Sequence, residues 1–427
     1  MIEMKDMLNP SSYGLNESIW NFVPLNSVVF FQEGPGLRNW QWTSSGMKVI
    51  NVKNILWNRT VNTNNSDKYI SLNEFEKQYK HFQIDDKDIV MASSGNTYSK
   101  IGRINSENLP LMMNTSVIRF KSLNENLLNN DFLYFFLCSN YMKNQIDCFV
   151  TGAAQPNFGP YHLNRMSIPL PSIKIQIKIA EILSAYDDLI ENNLKRIKLL
   201  EQAAQNIYKE WFVNLRFPGY ETTPINEETG LPEGWEYGVV SDFGKVITGK
   251  TPSTKRKDFY GVDIPFIKTP DMHRNIYMDN VEQYLSKAGA DSQKNKYLPK
   301  NTVIVACIGA RAGVVAITSK ASQTNQQINA IIAKDVNANY WFYFFFKGFK
   351  DKLRALGSSG ATMTNVSKGK FEGIELIYPS EILLKKFNST VSAFFDKILI
   401  LQNQNQKLKT ARDILLPRLM NRTIEVE

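Results

Sequence analysis

The stretch TGAAQPNFGPYHLNRMSIPLP, residues 151–171, decides the fold, because the chain contains it a second time as SGATMTNVSKGKFEGIELIYP, residues 359–379. The two copies align without a gap at a constant offset of 208 residues, so that Asn157 meets Asn365 and each copy ends in a proline. The same offset continues through the apolar pattern that follows each copy. Self-similarity of this kind indicates duplicated structural units, so we expect two similar halves.

The halves also match upstream of these copies, with loop insertions that change the offset. Trp20 meets Trp235, and the first matched pair of runs places Lys53 on Lys268. The matched runs are GMKVINVKNI (46–55) with GVDIPFIKTP (261–270), DIVMASSG (88–95) with TVIVACIG (302–309), and NDFLYFFL (130–137) with NYWFYFFF (339–346). Because strand-like runs mix with short helical patterns, we expect an α+β fold in each block.

A long helix is predicted after each copy, because apolar residues recur there at alternating steps of four and three, the spacing of a coiled-coil seam. Asn193 and Asn405 lie in the seam, where a buried asparagine can fix register at a cost in stability. Pro417 should kink or end the second helix. The periodicity leaves parallel and antiparallel pairing open. The predicted seam residues are Ile179, Leu183, Tyr186, Ile190, Asn193, Ile197, Leu200, Ile207, Phe387, Val391, Phe394, Ile398, Leu401, Asn405, Leu408 and Leu415.

The charge distribution points to a polyanionic partner. The 427 residues carry 50 Lys and Arg against 41 Asp and Glu, a net charge of +9 with a pI near 9.1. Residues 18–170 hold 14 basic and 11 acidic side chains, and residues 235–379 hold 20 and 12, whereas residues 171–234 hold 7 and 10. The basic excess therefore belongs to the two globular blocks.

Cysteine usage and apolar runs indicate a cytoplasmic protein without a membrane span. The three cysteines form no CxxC pair, and an odd number does not fit a disulfide framework, so we expect a reducing compartment. The N-terminal residues lack a basic-then-apolar signal pattern. The runs FLYFFL (132–137) and WFYFFF (341–346) are far shorter than the roughly 20 residues that span a bilayer, and we expect them in buried helices.

The motifs that suggest catalysis are incomplete. QPNF (155–158) resembles the Asn/Asp-Pro-Pro-aromatic loop of adenine methyltransferases, but its counterpart MTNV (363–366) keeps neither the proline nor the ring. EGPG (33–36) and its counterpart TGKT (248–251) do not clearly join a strand to a helix, as a dinucleotide site requires. The three histidines lack metal-ligand spacing, and no Walker-type phosphate loop is present. We therefore predict no catalytic and no metal-binding residue.

Polar loops in both blocks are candidates for DNA contact, because Arg and Lys suit guanine and Asn and Gln suit adenine in the major groove. Loops 93–103 and 307–315 are equivalent in the duplication, which favours them over single charges. The predicted DNA-contacting residues are Arg38, Asn39, Lys53, Arg59, Asn96, Lys100, Arg103, Lys250, Lys255, Arg256, Lys257, Lys268, Arg274, Arg311, Asn325, Gln326 and Gln327.

The whole chain resembles the specificity subunit of type I restriction–modification systems. The motifs that carry the resemblance are the duplicated passage, SIPLPSIKIQIKIAEILSAYDDLIE (167–191), LPEGWEYGVVSDF (231–243) and FQEGPGLRNWQW (31–42). The resemblance implies two α/β target recognition domains in tandem, each followed by a long helix, with the helices paired as an antiparallel coiled coil. The expected division is an N-terminal tail (1–17), a first recognition domain (18–171), a central helix (172–215), a linker (216–234), a second recognition domain (235–379) and a C-terminal helix (380–427).

The resemblance further implies a function without catalysis by this chain. Each recognition domain would read one half of a bipartite, asymmetric site in double-stranded DNA, and the paired helices would set the spacer. The expected partners are two adenine-methylating modification subunits and the restriction subunits, which carry the motor and nuclease. S-adenosylmethionine, ATP and Mg²⁺ would bind to those partners, and this chain would bind no cofactor. The alternatives are a stand-alone DNA modification or cleavage enzyme and a coiled-coil protein-interaction module.

Overall fold

The computed structural model describes residues 20–64, 66, 68–150, 156–273, 275–358 and 364–426. It divides into two compact units, residues 1–188 with 408–427 and residues 189–407. Three groups of sequence-based predictions lie outside the described residues. They are the N-terminal tail, the first five residues of each repeated stretch, and Arg274.

The first unit combines short strands with short helices. Its strands are β1 (Phe22–Pro24), β2 (Val29–Glu33), β3 (Met47–Ile50), β4 (Tyr69–Ile70), β5 (Gln83–Ile84), β6 (Ile89–Ala92), β7 (Ile101–Arg103), β8 (Leu111–Met113), β9 (Val117–Ser122) and β10 (Ser167–Pro169). Its α-helices before the long one are α1 (Leu25–Val28), α2 (Leu72–Glu74), α3 (Asn130–Leu137), α4 (Asn140–Val150) and α5 (Pro160–Leu163). One sheet has the order β2-β9-β6-β7 and a second has the order β4-β3-β8-β5, in which β3 and β8 run parallel.

The second unit repeats this plan. Its strands are β11 (Glu236–Val239), β12 (Gly244–Thr248), β13 (Tyr260–Gly261), β14 (Ile264–Ile267), β15 (Tyr277–Met278), β16 (Tyr284–Leu285), β17 (Val303–Ala306), β18 (Val315–Thr318), β19 (Gln323–Thr324), β20 (Ile328–Ala333) and β21 (Glu375–Tyr378). Its shorter α-helices are α7 (Val240–Phe243), α8 (Lys287–Asp291), α9 (Asn339–Gly348), α10 (Lys350–Gly357) and α11 (Lys368–Glu372). The sheets have the orders β12-β20-β17-β18-β15 and β13-β16-β14-β19, and β14 runs parallel to β19.

Central strands in both units are buried on both faces, which explains their continuous apolar sequences. All four residues of β6 and all four of β17 are buried. The aromatic helices α3 and α9 pack into the cores, where Phe132–Leu137 are buried throughout and Phe342, Phe344 and Phe346 are buried in α9. The prediction of two α+β blocks with buried aromatic helices is therefore confirmed.

Each globular block is followed by a long helix that begins two residues after the proline that ends the repeated stretch. These helices are α6 (Ile173–Tyr208), extended by a wider π-type turn at Lys209–Val213, and α12 (Glu381–Met420). Pro417 was expected to kink or end the second helix, and α12 in fact continues for three residues beyond it. Its missing N–H therefore falls in the last turn, close to where the helix ends in any case.

Within the second unit the two long helices run antiparallel, with Tyr208 packed near Phe387 and Asn193 beside Asn405. The Asn193 side chain donates to Asn405 Oδ1 at 2.9 Å, and Asn405 donates to the Ile190 carbonyl at 3.4 Å. Both asparagines are buried, at 7% and 4% exposure. The two seam asparagines, which are not equivalent in the sequence repeat, thus form one polar layer.

Within the first unit, α6 and α12 also run antiparallel. Ile179 and Leu183 lie in one buried cluster with Leu416 and Leu419. Arg412 is buried and forms ion pairs with Asp187 on the other helix and with its neighbour Asp413. A charged seam position is tolerated here because the guanidinium is paired rather than left alone in an apolar environment. The expected antiparallel coiled coil is confirmed.

The seam differs from the sequence-based prediction at two positions of α12. Phe394 and Leu415 are only half-buried, whereas their neighbours Phe395 and Leu416 are buried at 0% and 4% exposure. The buried residue after Val391 is Phe395, four positions further on, and not Phe394, three positions further on. The buried position is therefore displaced by one residue at this turn of the helix only, because the next predicted residue, Ile398, is buried. Tyr186, Ile197, Leu200, Ile207 and Leu408 are half-buried, and the other predicted seam residues are buried.

The first tryptophan of each block contacts the end of a long helix or the chain just beyond it. The Trp20 indole N–H donates to the Met420 carbonyl at 2.7 Å. Trp235 packs against Phe217, with 5.7 Å between ring centres, and against Phe212. Each unit therefore includes the chain just beyond the end of one of the long helices.

No helix in the described ranges is both long enough and apolar enough to cross a bilayer.

Candidate nucleic-acid interface

The loop between β8 and β9, residues 114–116, is the centre of a loop cluster in the first unit. Backbone hydrogen bonds tie it to the loops that follow β2 and β6 and to the last residue of β3. They run from Thr115 N to Pro35 O (3.1 Å), from Asn114 N to Ile50 O (3.1 Å), and from Ser93 N to Ser116 O (2.9 Å). The loop therefore has little freedom to move independently of its neighbours.

The loop between β19 and β20, residues 325–327, occupies the same place in the second unit. Its bonds run from Asn325 N to Ile267 O (3.1 Å) and from Cys307 N to Gln327 O (2.8 Å), and beside it Lys250 N donates to the carbonyl of Thr324, the last residue of β19 (2.9 Å). The first two repeat the bonds made by Asn114 and Ser116 in the first unit. The two loops are thus equivalent in the duplication, a relation that the sequence-based alignment missed.

The repeated stretch joins the same cluster in both units. Asn157 forms an isolated β-bridge with Ser94, and its counterpart Asn365 forms one with Ile308. The next residue of each copy donates its amide to the residue that follows β6 or β17, with distances of 3.1 Å and 3.0 Å. The asparagine shared by QPNF and MTNV therefore has a backbone-pairing role in both units.

Two glycines, Gly34 and Gly249, lie against the backbone of the central loops. A Cβ atom on Gly34 would lie 2.2 Å from the Asn114 carbonyl oxygen, and one on Gly249 would lie 2.2 Å from the Asn325 carbonyl oxygen. No real Cβ tolerates such contacts, so only glycine fits at these positions. The shared glycine of EGPG and TGKT is explained by packing between loops.

The structure places most of the predicted DNA-contacting residues in these loops or beside them. Lys268 follows β14 directly, and its amide donates to Asp271 at 2.8 Å. Arg38, Asn39, Lys53, Asn96, Lys250, Lys255, Arg256, Lys257, Arg311 and Gln326 are exposed. Arg59, Lys100, Arg103, Lys268 and Gln327 are half-buried, and Asn325 is buried. Exposure makes the first group available to a ligand.

Loops 51–61 and 93–100 of the first unit meet at Lys100. Its ammonium nitrogen lies 3.5 Å from the Val52 carbonyl oxygen and 5.5 Å from the centre of the exposed Trp57 ring. Partial burial lowers the pKa of Lys100 below its ordinary value. A cation held beside an exposed aromatic ring forms a surface suited to phosphates and bases.

The cationic loop 250–257 of the second unit is held in place by residues after α8. Gln293 donates to the Lys250 carbonyl at 2.8 Å, and Lys296 donates to the Thr248 carbonyl at 2.9 Å. Thr251 donates to the Gln326 side chain at 2.7 Å, which joins this loop to the central one. The Lys-rich and amide-rich predictions of the second block therefore belong to one surface.

Arg59 and Arg103 make intramolecular contacts. Arg59 is 17% exposed at its side chain and forms an ion pair with Asp413 at 3.2 Å. Arg103 pairs with Asp131 at 3.0 Å, and its guanidinium lies 4.3 Å from the centre of the Tyr134 ring. These contacts engage part of each guanidinium, while Arg59 Nη1 and Arg103 Nε are buried without a hydrogen-bond partner among the described residues.

The ends of β3 and β14 show that Lys53 and Lys268, which the sequence alignment paired, do not occupy equivalent positions. Asn51, not Lys53, is the residue that follows β3, as Lys268 follows β14. Both amides donate to a side chain three residues further on, at Asn54 in the first unit (2.9 Å) and at Asp271 in the second (2.8 Å). Lys53 therefore lies two residues beyond the position equivalent to Lys268.

No cluster of three or more His, Cys, Asp or Glu side chains with metal-binding geometry occurs among the described residues.

In the loop cluster, burial raises the pKa of Glu33, and a hydrogen bond from Thr115 at 3.4 Å acts in the opposite direction. The cluster offers hydrogen-bond donors, acceptors and positive charge, which are the groups that DNA recognition uses.

Comparisons with known proteins agree with this geometry. The sequence pattern of the family described as "Type I restriction modification DNA specificity domain" matches residues 18–202 and 232–410. The HindI type I restriction enzyme specificity subunit of Haemophilus influenzae is 32% identical, covering 70% of this chain and 78% of that protein. The MjaIX specificity subunit of Methanocaldococcus jannaschii is 27% identical, covering 70% of each. The type I S subunit structure from M. genitalium matches at 15% identity with a TM-score of 0.55, covering 94% of this chain and 96% of that one, which shows a shared fold.

Proposed function

Because the chain belongs to the family of type I restriction–modification DNA specificity proteins, we propose that it selects the DNA sequence on which a type I restriction–modification complex acts. The observation that carries this function is the duplicated loop cluster. Two backbone bonds of the central loop recur in both units, whereas the exposed side chains differ. A common scaffold with different side chains is suited to reading two unlike sequences.

In this function the two recognition domains, residues 18–171 and 235–379, each read one half of a bipartite site. The exposed cationic residues of the loops contact phosphates and set the orientation, and the amide and hydroxyl residues contact base edges. The predicted DNA-contacting residues retain this role, and two of them, Arg59 and Arg103, also form ion pairs within the protein. Because each domain reads a different half-site, the exposed side chains of the two loop clusters differ.

The helices, residues 172–215 and 380–427, set the unread spacer and dock two modification subunits, and the linker 216–234 connects the first helix to the second domain. The polar layer of Asn193 and Asn405 supports this role, because a buried asparagine pair favours one register over its neighbours.

The chain acts in the cytoplasm and leaves catalysis to its partners. The modification subunits carry S-adenosylmethionine and methylate adenine, and the restriction subunits use ATP and Mg²⁺. Neither the stand-alone enzyme nor the pure coiled-coil module is favoured, because the family match covers both globular blocks as well as most of each helix.

The test is methyl transfer to mixed-sequence DNA by the purified chain, by the modification subunit, and by their complex. We expect labelled methyl groups on a bipartite site only with the complex, and binding that weakens steeply with salt because phosphate contacts release counterions. Methyl transfer by the chain alone, or a complex that binds no DNA sequence preferentially, would contradict the proposal.

A further inference from the structure

The central loops of the two clusters differ at their tips. Thr115 in the first unit and Gln326 in the second are the exposed middle residues of two equivalent three-residue loops. The residue on each side of the tip is fixed by backbone hydrogen bonds to a neighbouring strand end or loop. Resting on the function proposed above, we propose that Thr115 and Gln326 are equivalent specificity-determining residues, each reading one base pair in its own half-site.

The residues on each side of the tip are held in the same way in both units, so the tip side chain is the main variable. Asn114 Oδ1 accepts from the Ser116 amide at 3.2 Å, and Asn325 Oδ1 accepts from the Gln327 amide at 3.3 Å. The tight approach of Gly34 and Gly249 holds each loop from a second side. Base reading needs a side chain whose position is fixed by its surroundings, and both tips meet this condition.

The contacts of Gln326 favour adenine. Thr251 donates its hydroxyl hydrogen to Gln326 Oε1 at 2.7 Å. An amide oxygen accepts two hydrogen bonds and the amide nitrogen donates two, so this contact orients the side chain and leaves Oε1 one further acceptor position. Glutamine pairs with adenine through its N6 amino group and N7 atom. Gln326 thus has the groups that adenine requires.

The contacts of Thr115 favour a base with an exposed amino group. Its hydroxyl donates to Glu33 Oε1 at 3.4 Å, which leaves the hydroxyl oxygen as an acceptor. In the major groove, amino groups are presented by adenine at N6 and by cytosine at N4. Thr115 is therefore expected to accept adenine or cytosine at its position, whereas Gln326 is expected to select adenine at the equivalent one.

The test uses the complex of the full chain with its modification subunit and a random DNA library in which methylated molecules are sequenced. With Q326A, discrimination at one adenine position of one half-site should fall by about 10- to 100-fold, the range of a lost bidentate contact. Q326E should shift that position towards cytosine, because a carboxylate accepts from N4. T115V should relax one position in the other half-site only.

Q78A is the matched control, since Gln78 is an exposed glutamine outside the loop cluster, the long helices and the predicted DNA-contacting residues, and it should leave both half-sites unchanged. A graft of T115Q with S116Q gives a second test should Q326A unfold, and it should move the preference of its half-site towards adenine. Unchanged discrimination in folded Q326A and T115V, or an equal loss of methylation at all sequences, would overturn the inference. Failure of the wild-type complex to methylate any bipartite site would instead sink the proposed function.

Discussion

Gly34 and Gly249 show how a single residue supports the loop clusters. Each lies against a carbonyl oxygen of the central loop, and added atoms would have to displace backbone rather than a flexible side chain. Gly36 belongs to the same loop as Gly34, yet a Cβ built on it meets nothing within 4 Å. The two glycines of EGPG therefore have different structural requirements.

Alanine substitutions at Gly34 and Gly36 test whether only the first of these positions requires glycine. G34A should lower the free energy of unfolding by about 1–3 kcal/mol, because the methyl group forces the central loop away. G36A should change it by about 0.5 kcal/mol or less. Chemical denaturation of both variants measures the difference. Equal stability of G34A and G36A would mean that the loops do not approach as closely as described.

The central loops also show what the sequence leaves hidden. Residues 114–116 read Asn-Thr-Ser and residues 325–327 read Asn-Gln-Gln, so only one letter is shared. Their offset of 211 residues also differs from the 208 of the repeated stretch, because loop insertions separate them. The equivalence rests on backbone hydrogen bonds to Ile50 and Ile267, which a sequence comparison does not contain.

At the scale of elements, the long helices were the part most readily predicted, because a period of three and four repeats over about ten turns. The pairing of Asn193 with Asn405 was not predictable in the same way, since it depends on the register between two helices. The shift from Phe394 to Phe395 has a similar origin. A seam can step by three or by four, and the partner helix decides which residue is buried.

The asparagine layer predicts a coupled response to mutation. N405L should lower the free energy of unfolding by about 1–3 kcal/mol, because it leaves the buried Asn193 amide without its partner. The double variant N193L/N405L should recover most of that loss by replacing both polar groups with apolar ones. Thermal and denaturant unfolding of the single and double variants gives the coupling energy.

The exposed neighbour Asn192 provides the control for this cycle, and N192L should change stability by about 0.5 kcal/mol or less. Additive effects of N193L and N405L would show that the two side chains do not form one layer.

At the scale of the whole molecule, the duplication predicts that specificity is modular. Exchanging residues 18–170 for the corresponding block of a related chain should change one half of the methylated site and leave the other half and the spacer unchanged. The reason is that each loop cluster is built within one unit. Sequencing of methylated adenines in DNA from cells that express the complete system gives the result. A change in both half-sites would contradict one domain per half-site.

The hydrogen bond from Trp20 to Met420 has a consequence for how the protein is made. The unit formed by residues 189–407 is continuous in the chain, whereas the other unit needs both the first block and residues 408–427. During synthesis, the continuous unit therefore has all its residues before the other unit does, and the hydrogen bond between Trp20 and Met420 can form only after residues 408–427 have been made.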